Sequence, residues 1–113
     1  MRSIVLATLI AAFAPYPAFA TSADRVAPFC NTKNVDNMFY SGLCSGIVEA
    51  ITASGRQLGV CVPGGVTFGE ENLVVYKYSN DHPEMLHLEM SSIALFALTR
   101  AWPCLPGSCF FNW

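Results

Sequence analysis

Two cysteines, Cys61 and Cys104, bracket the stretch that most constrains what this chain can fold into. Between them lie two runs with helical patterning, split at Asn80-Asp81-His82-Pro83. The pattern reads as an antiparallel helix pair onto which the remaining residues pack. The first run opens at Thr67-Phe68-Gly69-Glu70, which matches a capping box. In that motif the threonine oxygen accepts the Glu70 backbone N–H, and Glu70 reaches back to the threonine N–H. The run carries Leu73, Val74, Val75, Tyr76 and Tyr78. Its β-branched and aromatic residues weaken the local preference for helix, so a strand at Leu73 to Tyr78 is the alternative; the capping box favours helix. In the second run Leu86, Met90, Ile93, Ala94, Ala97, Leu98 and Ala101 share one helical face, widened by Leu88, Leu95 and Trp102. A stripe this broad implies burial on more than one side. Pro83 suits the first position of that helix and discourages helical geometry at His82, and Pro103 stops it.

The N-terminus has the layout of a secretory leader. Arg2 is the positive start, Ile4 to Ala14 is apolar, Pro15 and Pro17 break the run, and Ala18-Phe19-Ala20 is a small-x-small cleavage site. The apolar core is shorter than the roughly 20 residues needed to span a bilayer. Residues 1–20 are therefore read as a signal peptide, 21–104 as a helical domain and 105–113 as a tail. No cysteine directly follows the apolar run, which argues against a lipid anchor. Loss of Arg2 takes the formal net charge from −2 to −3, so the chain offers no basic footprint for nucleic acid. All 5 cysteines stay in the exported part. So small a domain buries little core, and export places it where disulfides form. The odd number leaves at least one thiol over or paired between chains.

Ahead of the central pair, Thr21 to Phe29 is short and mixed, and Pro28 argues against a long helix there. Asn31 to Asn37 is polar and turn-like. From Met38 the positions Leu43, Ile47, Ala50 and Ile51 form one helical face. Gly42 and Gly46, one turn apart, suggest a close helix contact. Ser54-Gly55 ends this helix, and Arg56 to Val60 is a connector. The tail Leu105 to Trp113 is broken by Pro106 and Gly107 and ends in aromatic residues.

Candidate chemistry is sparse. Asp81, His82, Glu84 and His87 could in principle hold a metal, but the histidines lack the i, i+4 spacing that places two on one helical face. The plainer reading is acidic residues at the positive end of a helix. A cysteine nucleophile with a histidine base is the other option, yet each cysteine has a structural use in an oxidising compartment. No Gly-rich phosphate loop, G-x-S-x-G or C-x-x-C occurs. Neither an enzyme nor a cofactor is expected.

The order Cys44-Ser45-Gly46-Ile47-Val48-Glu49-Ala50, Cys61-Val62-Pro63-Gly64-Gly65-Val66-Thr67, Val75-Tyr76-Lys77-Tyr78, Asp81-His82-Pro83-Glu84, His87 and Ala101-Trp102-Pro103-Cys104 resembles the Rap/Tai immunity family. The resemblance runs from about Cys30 to Cys104. It implies an all-helical, disulfide-stabilised bundle of three to four helices in the periplasm. It further implies no catalysis and protection by binding a type VI secretion peptidoglycan amidase, and it suggests dimers. Ile47 stands where the family often has an aromatic, and the tail with Cys109 and Trp113 extends past the family core. A different class of function is a general periplasmic binding or stress protein acting through exposed apolar surface.

Four cysteines allow three pairings. Antiparallel helices bring Cys104 to Cys61, which leaves Cys30 near Cys44, with Cys109 free or intermolecular. An inhibitor of a cleft enzyme needs a projecting element. Asn31 to Asn37, Arg56 to Gly65 and Asn80 to His87 are long enough to consider, and the proposed disulfides tether the first two. Asp81, His82, Glu84 and His87 are thus the candidate partner-binding residues, with Phe110 to Trp113 as the alternative. The plain reading of the same stretch is a helix–helix turn with a satisfied cap.

Overall fold

The computed structural model describes residues 21–33 and 36–105. The expected leader and the tail residues Cys109 and Phe110 to Trp113 lie outside the described residues. Within them the fold is all-α, with helices α1 (Ala23–Val26), α2 (Met38–Ala53), α3 (Phe68–Asp81) and α4 (Met90–Ala101). Short 3-10 turns occupy Ala27–Cys30, Gly55–Leu58 and Pro83–Met85. Leu73 to Tyr78 is helical, and the only β pairing among the described residues is the isolated bridges Ser22↔Glu89 and Val60↔Pro103.

Each longer helix starts where side-chain chemistry supplies a cap or where another segment does so. The Asn37 side-chain oxygen accepts the Tyr40 N–H at 3.2 Å and opens α2. The Thr67 hydroxyl accepts the Glu70 N–H at 3.2 Å and opens α3, satisfying a donor that has no partner within the helix. α4 has no side-chain cap, and it starts at Met90, not at Pro83. The cause is competition for backbone groups. The Leu86 carbonyl, which a continuous helix would pair with the Met90 N–H, accepts from the Asp24 N–H at 3.0 Å. The Met90 N–H donates instead to the Thr21 carbonyl at 2.9 Å, and the Ala23 N–H to the Leu88 carbonyl at 2.8 Å. The segment from Thr21 to Asp24 thus clasps Leu86 to Met90 and replaces the first turns of the expected helix.

The core follows from this clasp. Ala23, Val26, Ala27 and Cys30 are buried, so the short mixed segment is a central layer. Against it pack Cys44 and Val48 of α2, Val75 of α3, and Met90, Ile93, Ala94, Ala97 and Leu98 of α4. The buried line of α2 is Cys44, Val48 and Ile51, one position on from the expected Leu43 and Ile47, which are half-buried, while Ala50 is exposed. Gly42 and Gly46 are exposed, and a Cβ at either would meet nothing within 4 Å. The close helix contact expected there is absent because the bond to Cys30 turns the Cys44 side of α2 inward, leaving both glycines outside. Gly55 is the glycine that close approach requires. A Cβ there would lie 2.5 Å from the Val60 carbonyl oxygen, and the Val60 N–H donates to the Gly55 carbonyl at 2.7 Å.

Cys30 is bonded to Cys44 and Cys61 to Cys104, the pairs expected from the helix order. Around the second pair the Cys61 N–H donates to the Trp102 carbonyl at 2.8 Å and the Cys104 N–H to the Gly59 carbonyl at 3.3 Å. The open end of the α3–α4 hairpin is therefore closed by a covalent bond and by backbone pairing.

The loops closed by the disulfides span 43 and 14 residues. Replacing Cys61 and Cys104 by serine should cost about 4 kcal/mol, and replacing Cys30 and Cys44 about 3 kcal/mol, in the chain-entropy account. Urea unfolding of the two double variants reads the order directly, and a larger loss at the shorter loop would assign the effect to packing around Cys30. Gly55→Ala should lose about 1–3 kcal/mol through overpacking against backbone. Gly46→Ala, on an open helix surface, should gain about 0.5–1 kcal/mol. Equal effects at the two positions would contradict the packing described.

Candidate partner-binding surface

The connector from His82 to Glu89 is anchored at its start. The His82 ring stacks on Tyr78 with centroids 4.1 Å apart and planes 22° from parallel. Its Nδ1 lies 2.8 Å from the Tyr78 carbonyl oxygen, and the Tyr78 hydroxyl donates to the Met85 sulfur at 3.7 Å. His82 is half-buried by this packing, which gives it a structural task in ending α3. Asp81, Glu84 and His87 are exposed. Asp81 is the last residue of α3, Glu84 and His87 lie on the connector, and among the described residues no group of three or more His, Cys, Asp or Glu side chains is placed to hold a metal ion. The polar stretch Asp81 to His87 is therefore anchored near its start by the His82–Tyr78 pair and beyond its end by the backbone clasp of Thr21 to Asp24 on Leu86 to Met90.

A second polar feature escaped the reading of the chain. The inward face of α3 is Glu71, Asn72, Val75 and Ser79, three of them polar. Leu73, read as part of the apolar run, is 41 % exposed, whereas Glu71 and Asn72 are 6 % and 8 % exposed. Ser79 turns its hydroxyl back to the Tyr76 carbonyl at 2.7 Å, a local solution. Asn72 donates through Nδ2 to the Ser45 hydroxyl of α2 at 3.1 Å. The remaining oxygens, Glu71 Oε2 and Asn72 Oδ1, are buried without a hydrogen-bond partner. Burial, and then the charge of Glu49 on α2, raise the Glu71 pKa above its ordinary value of 4.5. The sequence signal was present: residues 71, 72, 75 and 79 fall on one helical face by spacing alone. Reading Leu73 to Tyr78 as an apolar block hid it.

Among the described residues the large exposed apolar side chains are Met38 and Phe39 at the start of α2, Phe68 at the start of α3, and Leu58, Leu73, Phe96 and Leu105. Phe39 meets Tyr40 edge-on at 5.3 Å, and Tyr40 stacks on Phe29 at 5.6 Å, so the start of α2 carries a short aromatic ladder. No helix among the described residues is long and apolar enough to cross a membrane.

A family model described as Rap1a immunity proteins matches residues 22–104. The chain belongs to the Rap1a immunity protein family. The matched span begins at Ser22, which bridges to Glu89, and ends at Cys104, which closes the second disulfide. The Rap1a match thus takes in all of the clasp but Thr21, both covalent links, the polar stretch Asp81 to His87 and the α2–α3 seam. Membership supports an immunity role, which is carried out by binding a partner effector. No curated protein and no solved structure matched the chain.

The raised pKa of Glu71 has a consequence for stability. Its carboxyl holds a proton more tightly in the folded chain than in the unfolded one, where it titrates at its ordinary value. The stabilisation is complete below the unfolded value and is lost as pH rises through the folded value. Glu71→Gln cannot titrate, so its melting temperature relative to the unaltered protein should climb as pH rises from acid toward neutral and then level off. A difference independent of pH would mean that Glu71 titrates as it does in the unfolded chain.

Proposed function

We propose that this protein is an exported immunity protein that binds and inhibits a peptidoglycan amidase delivered by type VI secretion. The observation that carries the reading is the family match, which spans the whole disulfide-linked helical domain at 22–104. Residues 1–20 serve as the leader and 105–113 as a tail. The periplasm supplies both the oxidising conditions that two disulfides need and the compartment in which such an amidase meets its substrate. The protein acts by occupying its target, not by catalysis, and needs no cofactor. Dimerisation belongs to the same reading.

The proposed contact is the polar stretch Asp81 to His87, read as a ridge projecting at the junction of α3 and α4. Asp81, Glu84 and His87 supply exposed hydrogen-bonding and charged groups. His82, fixed on Tyr78, sets the direction in which the ridge leaves α3. A ridge held at both ends loses little conformational freedom when it docks, which favours binding. The exposed Met38 and Phe39 support a second reading, a general binder of apolar surfaces in the same compartment.

Interface energy concentrates in few residues. Asp81→Ala combined with Glu84→Ala should weaken binding of an amidase co-purified from the periplasm by more than about 2 kcal/mol, or about 30-fold. Calorimetric titration measures it, with the variant's circular dichroism as the folding control. Unchanged affinity in a folded double variant moves the contact away from the ridge. Recovery of many unrelated clients, lost with Met38→Ser and Phe39→Ser, favours the second reading.

A further inference from the structure

The seam between α2 and α3 has a composition that a purely structural contact does not need. Glu71 and Asn72 are more than nine-tenths buried, yet each leaves one oxygen unpaired. An orphaned buried acceptor costs stability, and an apolar pair at these positions would avoid that cost. Asn72 Oδ1 can only accept, and Glu71 Oε2 accepts once its carboxyl is ionised, as a cation beside it favours, so a further carboxylate or carbonyl cannot complement the pair. A group with several N–H donors can. Ser45 and Glu49, one turn apart on α2, are both exposed and belong to the same seam, Ser45 through its bond from Asn72 and Glu49 through its charge on Glu71. The seam therefore opens at the surface, with a second carboxylate beside the buried one.

We propose that this seam takes a cationic side chain, arginine or lysine, of the bound effector. The inference rests on the immunity reading above and adds a second contact to it. A guanidinium or ammonium entering between α2 and α3 gives Glu71 Oε2 and Asn72 Oδ1 the donors they lack and neutralises the pair Glu49 and Glu71. Asn72 precedes Asp81 by nine residues on α3, about 14 Å along the helix axis. One partner can cover both positions within an interface of ordinary size, roughly 800 Å² a side. The net negative charge of the chain favours approach of such a group.

The test has two arms on the oxidised, leader-free protein. In the first, N-acetyl-arginine methylamide is titrated while the Asn72 side-chain NH₂ resonances are followed by NMR, with the corresponding capped norleucine as control. Saturable movement with arginine alone, abolished by Glu71→Gln, is the expected result. An unmoved Asn72 signal, or equal movement with norleucine, overturns the proposal. In the second arm the co-purified amidase is titrated against Glu71→Gln. A fall in affinity of about tenfold or more is expected for a lost hydrogen bond to a charged group. Unchanged affinity overturns the proposal, since the seam is then structural, with solvent completing its hydrogen bonds, while the reading of the ridge stands. Where Glu71→Gln does not fold, Glu49→Gln on the exposed rim replaces it in both arms, with a smaller loss expected. Should the unaltered protein bind no amidase, the immunity reading is what fails, and the first arm still decides the chemistry of the seam.

Discussion

The closure at Cys61 and Cys104 is the constraint on which the rest of this structure depends. A pair of helices with 14 and 12 residues would be marginal alone. The covalent bond, reinforced by the Cys61 N–H to the Trp102 carbonyl and the Cys104 N–H to the Gly59 carbonyl, makes the two open ends one point. α4 can then present Met90, Ile93, Ala94, Ala97 and Leu98 as a buried face. The second disulfide acts on the other side, holding the buried Cys30 turn against Cys44 of α2. Between these links the chain has little freedom to arrange its helices differently.

With the hairpin closed, its far end is secured by the clasp of Thr21 to Asp24 on Leu86 to Met90. Those hydrogen bonds explain why the connector holds only the short 3-10 turn Pro83–Met85 and not the first turns of α4. They also join the first residues of the described chain to the stretch that carries Glu84 and His87. The polar residues of the connector are thus anchored on both sides. The aromatic stack of His82 on Tyr78 serves the same end at the other side of the turn.

The α2–α3 seam breaks the rule that the rest of the core follows. Most of the buried residues are apolar, and close packing of aliphatic side chains supplies the stability. Glu71 and Asn72 oppose it, one with a carboxyl that burial drives toward its neutral form. Such local conflicts concentrate where a protein does something other than fold.

Much of the helical plan was written in short-range chemistry. The capping residues Asn37 and Thr67 act through contacts to the N–H three residues on, so their effect can be read without knowing the fold. The period of Met90 to Leu98 and the order of the cysteines around two helices were legible for the same reason. What the tertiary structure alone decided depends on partners far along the chain. Met90 and not Pro83 begins α4 because Thr21 and Asp24, distant in sequence, take the backbone groups that a longer helix would use. Cys44 and Val48 face inward because Cys30 holds that side of α2, which leaves Gly42 and Gly46 open. Asn72 is buried because Ser45 of another helix meets it, and Glu71 lies beside it near Glu49. Spacing along one helix says which residues share a face; which face turns inward is settled only when the other helices compete for it.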